Sequence, residues 1–255
     1  MKNIKFLVLI GITFSLFTNC KKDNTVEDNT VSPVINFKFN AVANGLPLLN
    51  ENQKIYNTSN DTFNISKFNY YISNIKLIRE DGYIFNETES YHLIKHLDGV
   101  NSFSFSNLPE GNYNNIEFLI GVDSLRNVSG SQTGALAISN NMFWEWNSGY
   151  IFFKLEGDYK SPIQQIKNSY AIHVGGFKGI YSCLQKCKYN LNEMILAKNN
   201  HQTTVNYNVS IDEIFISPKK IGFDYYYANI AQGDKIFNEI SINYKDMFSI
   251  AKIEN

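Results

Sequence analysis

Ile35, Phe37, Phe39 and Ala41 alternate with Asn36, Lys38 and Asn40. That period of two is what a half-buried strand requires, because successive side chains of an extended chain point to opposite faces. A first strand over 34–43 follows. Similar alternation returns at Phe103 and Phe105, at Ile116, Phe118, Ile120 and Val122, and at Val205, Tyr207 and Val209, while 150–155 is a nearly continuous apolar run. Between these stretches stand Asp81-Gly82, Asp98-Gly99, Pro109-Glu110-Gly111 and Gly175-Gly176, whose glycines suit tight connections that need a positive φ. Short strands joined by regular turns predict a mostly β fold: a single antiparallel β-sandwich-like domain with a few short helices. The segments 214–221 and 235–248 fit short helices or strands equally.

The first residues follow a different pattern. Lys2 and Lys5 precede an apolar run over 6–17, followed by Thr18-Asn19-Cys20 and Lys21-Lys22-Asp23. A basic start, a short apolar centre and a polar junction make a signal peptide, and the run is shorter than the roughly 18 apolar residues a membrane-spanning helix needs. Cys20 at the junction is similar to the acceptor cysteine of bacterial lipoproteins, in the looser form found in Bacteroidetes, where the thiol takes a diacylglycerol group. Ordinary secretion with an incidental cysteine is the alternative. The expected organisation is a signal peptide over 1–19, a polar flexible tether over 20–33 and one β domain over 34–255. The mature protein would be an outer-membrane lipoprotein, facing the periplasm or the exterior, that touches the membrane through its lipid alone.

Composition adds support for β structure, with 19 Phe and 16 Tyr in 255 residues, types that favour strands. A formal net charge of -1 supplies no field that would attract nucleic acid or an anionic membrane. The chain lacks the Gly-x-Ser-x-Gly elbow, the His-Glu-x-x-His pair, a phosphate-cradling glycine loop and an EF-hand series, so the reading is that of a protein that is not an enzyme. Cys183 and Cys187 remain after Cys20. In an oxidising envelope they would close a small disulfide loop if their Cα atoms come within about 7 Å; a soft metal site of two thiolates is the alternative. Of the four histidines, His92 and His96 read as structural or exposed and His201 as lying on a polar hairpin tip. His173 stands inside an apolar strand ending in Gly175-Gly176, and a buried histidine needs a partner.

Four segments then form a pattern in order: Gly121-Val122-Asp123-Ser124-Leu125-Arg126-Asn127-Val128-Ser129-Gly130, Gly134-Ala135-Leu136, Met142-Phe143-Trp144-Glu145-Trp146-Asn147-Ser148-Gly149-Tyr150, and Phe153-Lys154-Leu155-Glu156-Gly157. With Tyr70-Tyr71-Ile72-Ser73-Asn74-Ile75, the stretch from His173 to Phe177 and Asn243-Tyr244-Lys245-Asp246-Met247-Phe248, they resemble the MbnP-like family of envelope proteins over nearly the whole mature chain. The resemblance implies a β-rich periplasmic or surface protein. It also implies copper handling, since methanotroph members bind copper beside a partner di-haem peroxidase that can oxidise a tryptophan to kynurenine. Trp144 and Trp146 match the family's Trp-x-Trp element, and His173 matches the histidine before its glycine pair, an imidazole suited to copper. Two departures accompany the match. Val128 follows Asn127 where copper-binding relatives tend to carry a histidine, and Ala137 stands where many carry an acid; a replacement donor would have to come from His92, Met142 or a thiol. On one strand Trp144 and Trp146 would share a face, as oxidisable residues or as plain core or rim aromatics; Asp123 fits a calcium or a loop-ordering role, of which a carboxylate bonded to turn amides is the simpler. The alternative function is a non-catalytic surface module that binds a protein or glycan partner without metal.

Overall fold

The computed structural model describes residues 30–130, 132–145, 147–163, 165–223 and 235–255. The expected signal peptide, Cys20, the tether up to residue 29 and Trp146 lie outside them. In chain order the strands are β1 (Val34–Ala43), β2 (Leu46–Pro47), β3 (Ile55–Tyr56), β4 (Thr62–Phe63), β5 (Lys67–Arg79), β6 (Ile84–Asn86), β7 (Tyr91–Lys95) and β8 (Ser102–Phe105). They continue with β9 (Gly111–Ile120), β10 (Phe143–Glu145), β11 (Gly149–Tyr150), β12 (Phe153–Lys160), β13 (Lys167–Val174), β14 (Gln185–Ala197), β15 (Gln202–Ser210) and β16 (Phe248–Glu254). Among the described residues the α-helices are α1 (Ser124–Asn127), α2 (Glu213–Ile216) and α3 (Lys235–Lys245), with 3-10 turns at His96–Asp98, Gly134–Leu136 and Ile138–Asn140. The fold is mostly β, as the alternation implies. The ambiguous C-terminal stretch divides: α3 buries Phe237, Ile240 and Tyr244 on one stripe, the spacing of a helix packed on one side, and β16 follows it.

The smaller sheet runs β16-β15-β1-β2, with β8 also on β1. The alternating β1 buries Ile35, Phe37 and Phe39. Its pairing with β15 is parallel, Val34 opposite Gln202 and Val42 opposite Ser210, which departs from an all-antiparallel expectation. The reason is connectivity: a parallel pair needs a long crossover rather than a hairpin, and the whole larger sheet intervenes between β1 and β15. The polar turn holding His201 likewise carries the chain from β14 in one sheet to β15 in the other, so it is an inter-sheet connection rather than a hairpin tip.

The larger sheet runs β14-β9-β5-β12-β4-β3, with β13 beyond β12 and with β6 and β7 on β5. Its central strand changes partners midway. Along one edge, Phe68 faces Leu155 of β12 and Leu77 faces Ile116 of β9. At the handover the Tyr71 N–H donates to Phe152 O at 3.0 Å and the Tyr71 carbonyl accepts from Gly121 N at 3.0 Å. Segment 121–152 therefore springs from a gap in the sheet edge. The core lies between the sheets, where Phe248 meets Tyr70 and Phe118 at ring-centroid distances of 5.4 and 5.6 Å and Tyr207 meets Phe118 at 5.9 Å. Burying each such ring stabilises the fold by roughly 1.5–3 kcal/mol, and the edge-on geometries suit the ring quadrupoles.

The domain has two distinct ends. Val31 N donates to Asn200 Oδ1 at 2.9 Å and Val34 N to His201 O at 3.1 Å, so the chain enters where β14 finishes. Segment 121–152 leaves the sheet at the other end of that strand, where Gln185 faces Ile120. β14 bulges between Asn190 and Ile195 and lies opposite Gly111–Ile120 of β9, so at about 3.3 Å per residue the two ends are roughly 30 Å apart.

Candidate functional site

The motif segments converge on 121–152, and most of their residues build that segment. Gly121 has φ +116°, and a Cβ there would fall 2.8 Å from the Phe152 ring. Asp123 caps α1 by accepting from Arg126 N at 3.2 Å and also accepts from Asn74 Nδ2 at 2.9 Å and Tyr91 OH at 2.7 Å. Burial opposes its ionisation, but the bonds from Tyr91 and Asn74 prevail and hold the carboxyl below its ordinary value. Asn127 is buried; its amide donates to Val122 O and to Asp123 O, and its Oδ1 accepts from Tyr150 N at 2.9 Å. Tyr150 OH donates to Leu136 O at 2.7 Å and Tyr71 OH to Ala135 O at 2.9 Å. Asp123 thus orders its loop, and Asn127 and Tyr150 lock the two ends of the segment together.

His173 lies on β13 opposite Lys154 of β12. Its Nε2 is 2.7 Å from Glu156 Oε1, with both side chains 29% exposed. Lys154 is buried, donates to Asn141 O at 2.6 Å and places its Nζ 3.9 Å from the same carboxylate oxygen. Burial is the largest influence on His173 and outweighs Glu156, taking the imidazole below its usual pKa. Burial also draws Lys154 below the ordinary lysine value. A histidine whose one nitrogen faces a carboxylate has its tautomer fixed and its other nitrogen, here Nδ1, left with a lone pair.

Trp144 is on β10, which pairs with β11 through an irregular register. A Cβ on Gly175 would fall 2.6 Å from Trp144 Cζ3, so the indole lies directly on that glycine, two residues beyond His173. The ring is parallel to Phe237 at 6.4 Å. The two expected site residues Trp144 and His173 therefore share one end of β13. Trp146 lies outside the described residues, and with it the expected arrangement beside Trp144. Val128 is exposed on a cleft of about 660 Å³ that Ile138, Phe143, Glu145 and Phe177 also line.

The other candidates are elsewhere. His92 pairs with Glu87 at 2.9 Å and stacks on Phe103 at 3.6 Å; His96 meets Tyr70 OH at 3.0 Å and stacks on Phe68. Met142 is buried. The expected Cys183–Cys187 disulfide is not formed: both are buried free thiols, with Cys183 Sγ against Tyr181 O and Cys187 Sγ against Lys245 O. Cys187 lies within β14 while Cys183 precedes it, and the two thiols pack against different carbonyls rather than each other. Burial pushes both thiols up to about 12, which also disfavours a thiolate pair.

Among the described residues no three His, Cys, Asp or Glu side chains converge as a metal site. His173 with Glu156 behind it fits one copper ligand, and the Lys154 ammonium beside them opposes tight cation binding. Sequence reasoning missed Glu156 and Lys154 as partners, although both stand in the quoted Phe153–Gly157 motif, two apart on one face. The family model MbnP matches residues 32–235. Among solved structures, MbnP from Methylosinus trichosporium is similar with 13% sequence identity and a TM-score of 0.49, over 76% of this chain and 82% of that one. No curated protein matches. The match over 32–235 covers most of the chain, which belongs to the MbnP family.

Proposed function

We propose that this chain is an exported envelope lipoprotein, anchored through Cys20, that binds copper in a labile way for uptake or handling. The observation that carries the reading is the 2.7 Å contact of His173 with Glu156 inside an MbnP-family chain. His173 would offer Nδ1 as donor, and Glu156 would orient the ring and supply negative charge. The remaining ligands would come from outside the described residues, from water or from a partner such as a di-haem peroxidase. Lys154 would limit the positive charge the site tolerates, favouring release over storage. When bound, copper would supply one-electron chemistry. The test is elemental analysis of the mature protein purified with its native neighbours, together with the mass of the peptide holding Trp144 and Trp146; bound copper supports the reading, and metal-free protein with unmodified tryptophans counts against it.

A second reading rests on the cleft at Val128. An apolar side chain stands where copper-binding relatives tend to have a histidine, and with Ile138, Phe143 and Phe177 it gives a surface suited to a protein partner without metal. Under that reading His173→Ala leaves partner binding intact.

A further inference from the structure

At the far end of β12 from His173, two clefts meet at one exposed aromatic ring. Tyr56 is 56% exposed, yet its backbone is held on both sides by one residue: Tyr56 N donates to Asn44 Oδ1 at 2.9 Å, and Asn44 Nδ2 donates to Tyr56 O at 2.8 Å. Asn44 is itself fixed by Asp212, whose carboxylate accepts from Asn44 N at 2.8 Å and from Asn44 Nδ2 at 3.0 Å. The turn between β3 and β4 is locked in the same way, the buried Asp61 accepting from Asn57 Nδ2 at 2.7 Å and from Phe223 N at 3.0 Å. An exposed aromatic on so rigid a support loses little freedom when a ligand covers it.

On one side of the ring a cleft of about 420 Å³ is lined by Lys54, Lys160 and Lys167 with Asn52, Thr62 and Asn64. Asp158, also on its wall, pairs with Lys167 at 2.9 Å, and among the described residues no ion pair engages Lys54 or Lys160. On the other side a cleft of about 390 Å³ is lined by Asn57, Thr58, Ser210, Asp212 and Glu213. The walls thus offer ammonium groups at one end, amides and hydroxyls throughout and carboxylates at the other end, with a ring between.

We infer that this groove binds an acidic saccharide. Sugar hydroxyls both donate and accept, which suits amide and carboxylate walls; the apolar face of a sugar ring can lie on Tyr56; and a uronate or sulfate group finds Lys54 and Lys160. A polyphosphate offers no ring face to Tyr56 and no hydroxyls that both donate and accept along the amide walls. Asn44 and Ser210 stand at the finishing ends of β1 and β15, opposite the end at which Val31 and Val34 bring the chain into the domain. The site is independent of the proposed copper ligand: Lys160 pairs with Lys167 and Lys154 with His173, six residues or roughly 20 Å apart along β12.

The test uses the mature chain with Cys20→Ser, polygalacturonate as probe and dextran as the neutral control, read by calorimetry and affinity-gel retardation. Binding to polygalacturonate and not to dextran is expected, weakened about tenfold or more by Tyr56→Ala and by Lys54→Gln with Lys160→Gln, and unchanged by His173→Ala. These side chains are exposed, and an unchanged melting temperature verifies the fold of each variant. Absence of binding, binding indifferent to the variants, or full displacement by millimolar inorganic phosphate would each overturn the inference.

Discussion

Asn127 and Tyr150 are joined by one hydrogen bond that closes the motif segment, the Asn127 side-chain oxygen accepting the Tyr150 N–H at 2.9 Å. Because the Asn127 amide also binds the Val122 and Asp123 carbonyls, Asn127→Ala would strand backbone groups at a buried position. A loss of about 2–4 kcal/mol is expected, seen as a melting-temperature drop of roughly 5–10 °C. Gly149→Ala acts from the other side, since φ is +76° and the new Cβ would sit 2.1 Å from Asn127 Oδ1; it should destabilise at least as much. Wild-type stability in either variant would show that the segment is held by something else.

Trp144 rests on Gly175, so Gly175→Ala should displace the indole, its Cβ falling 2.6 Å from Cζ3 and 2.4 Å from Tyr150 O. The expected readout is a shift in tryptophan emission and greater quenching by acrylamide. An unaltered spectrum would remove Trp144 from the strand end that carries His173.

The thiols provide a separate check. Cys183 and Cys187 are buried and held in their protonated forms, and only the thiolate alkylates readily. Iodoacetamide should leave both untouched in native protein and label both in urea. A mass showing them joined in the folded protein would restore the disulfide.

Stability should fall in acid because of His96. Burial holds its imidazole down to about 3, while in the unfolded chain it titrates near 6.5. Between those values the unfolded state carries a proton that the folded state refuses, so stability rises with pH across the window, by at most about 1.4 kcal/mol per pH unit. The contribution is complete above about pH 6.5 and is lost as the pH falls towards 3. Urea melts of wild type and His96→Gln at several pH values measure it; equal acid slopes would contradict the assignment.

Much of this architecture was legible in local pattern. The alternation over 34–43 is β1 residue for residue, because one buried face dictates a period of two. The parallel partner of β1 was not legible, since that pairing is set by connectivity across more than 160 residues and leaves no local trace. The disulfide expectation failed because sequence proximity says nothing about where each thiol packs, here against Tyr181 O and Lys245 O. Within the candidate site, His173 and Trp144 were legible as residue types in a known order, whereas the contact of His173 with Glu156 depends on the register of β12 against β13. Asn127 reads as one more loop asparagine until its three bonds are seen.

Glu156 should matter to any copper affinity through its hold on the imidazole. Replacing such a supporting carboxylate commonly weakens a metal site about 10–100-fold, so Glu156→Gln should reduce affinity while leaving His173 in place. Equal affinity would assign the carboxylate a purely structural role.

The central claim is tested most directly by equilibrium copper binding to the mature domain, compared between wild type and His173→Ala with folding verified by circular dichroism. The account expects about one readily exchangeable copper per wild-type chain and its loss in His173→Ala. No copper on the wild-type protein, or the same copper on both, would contradict it.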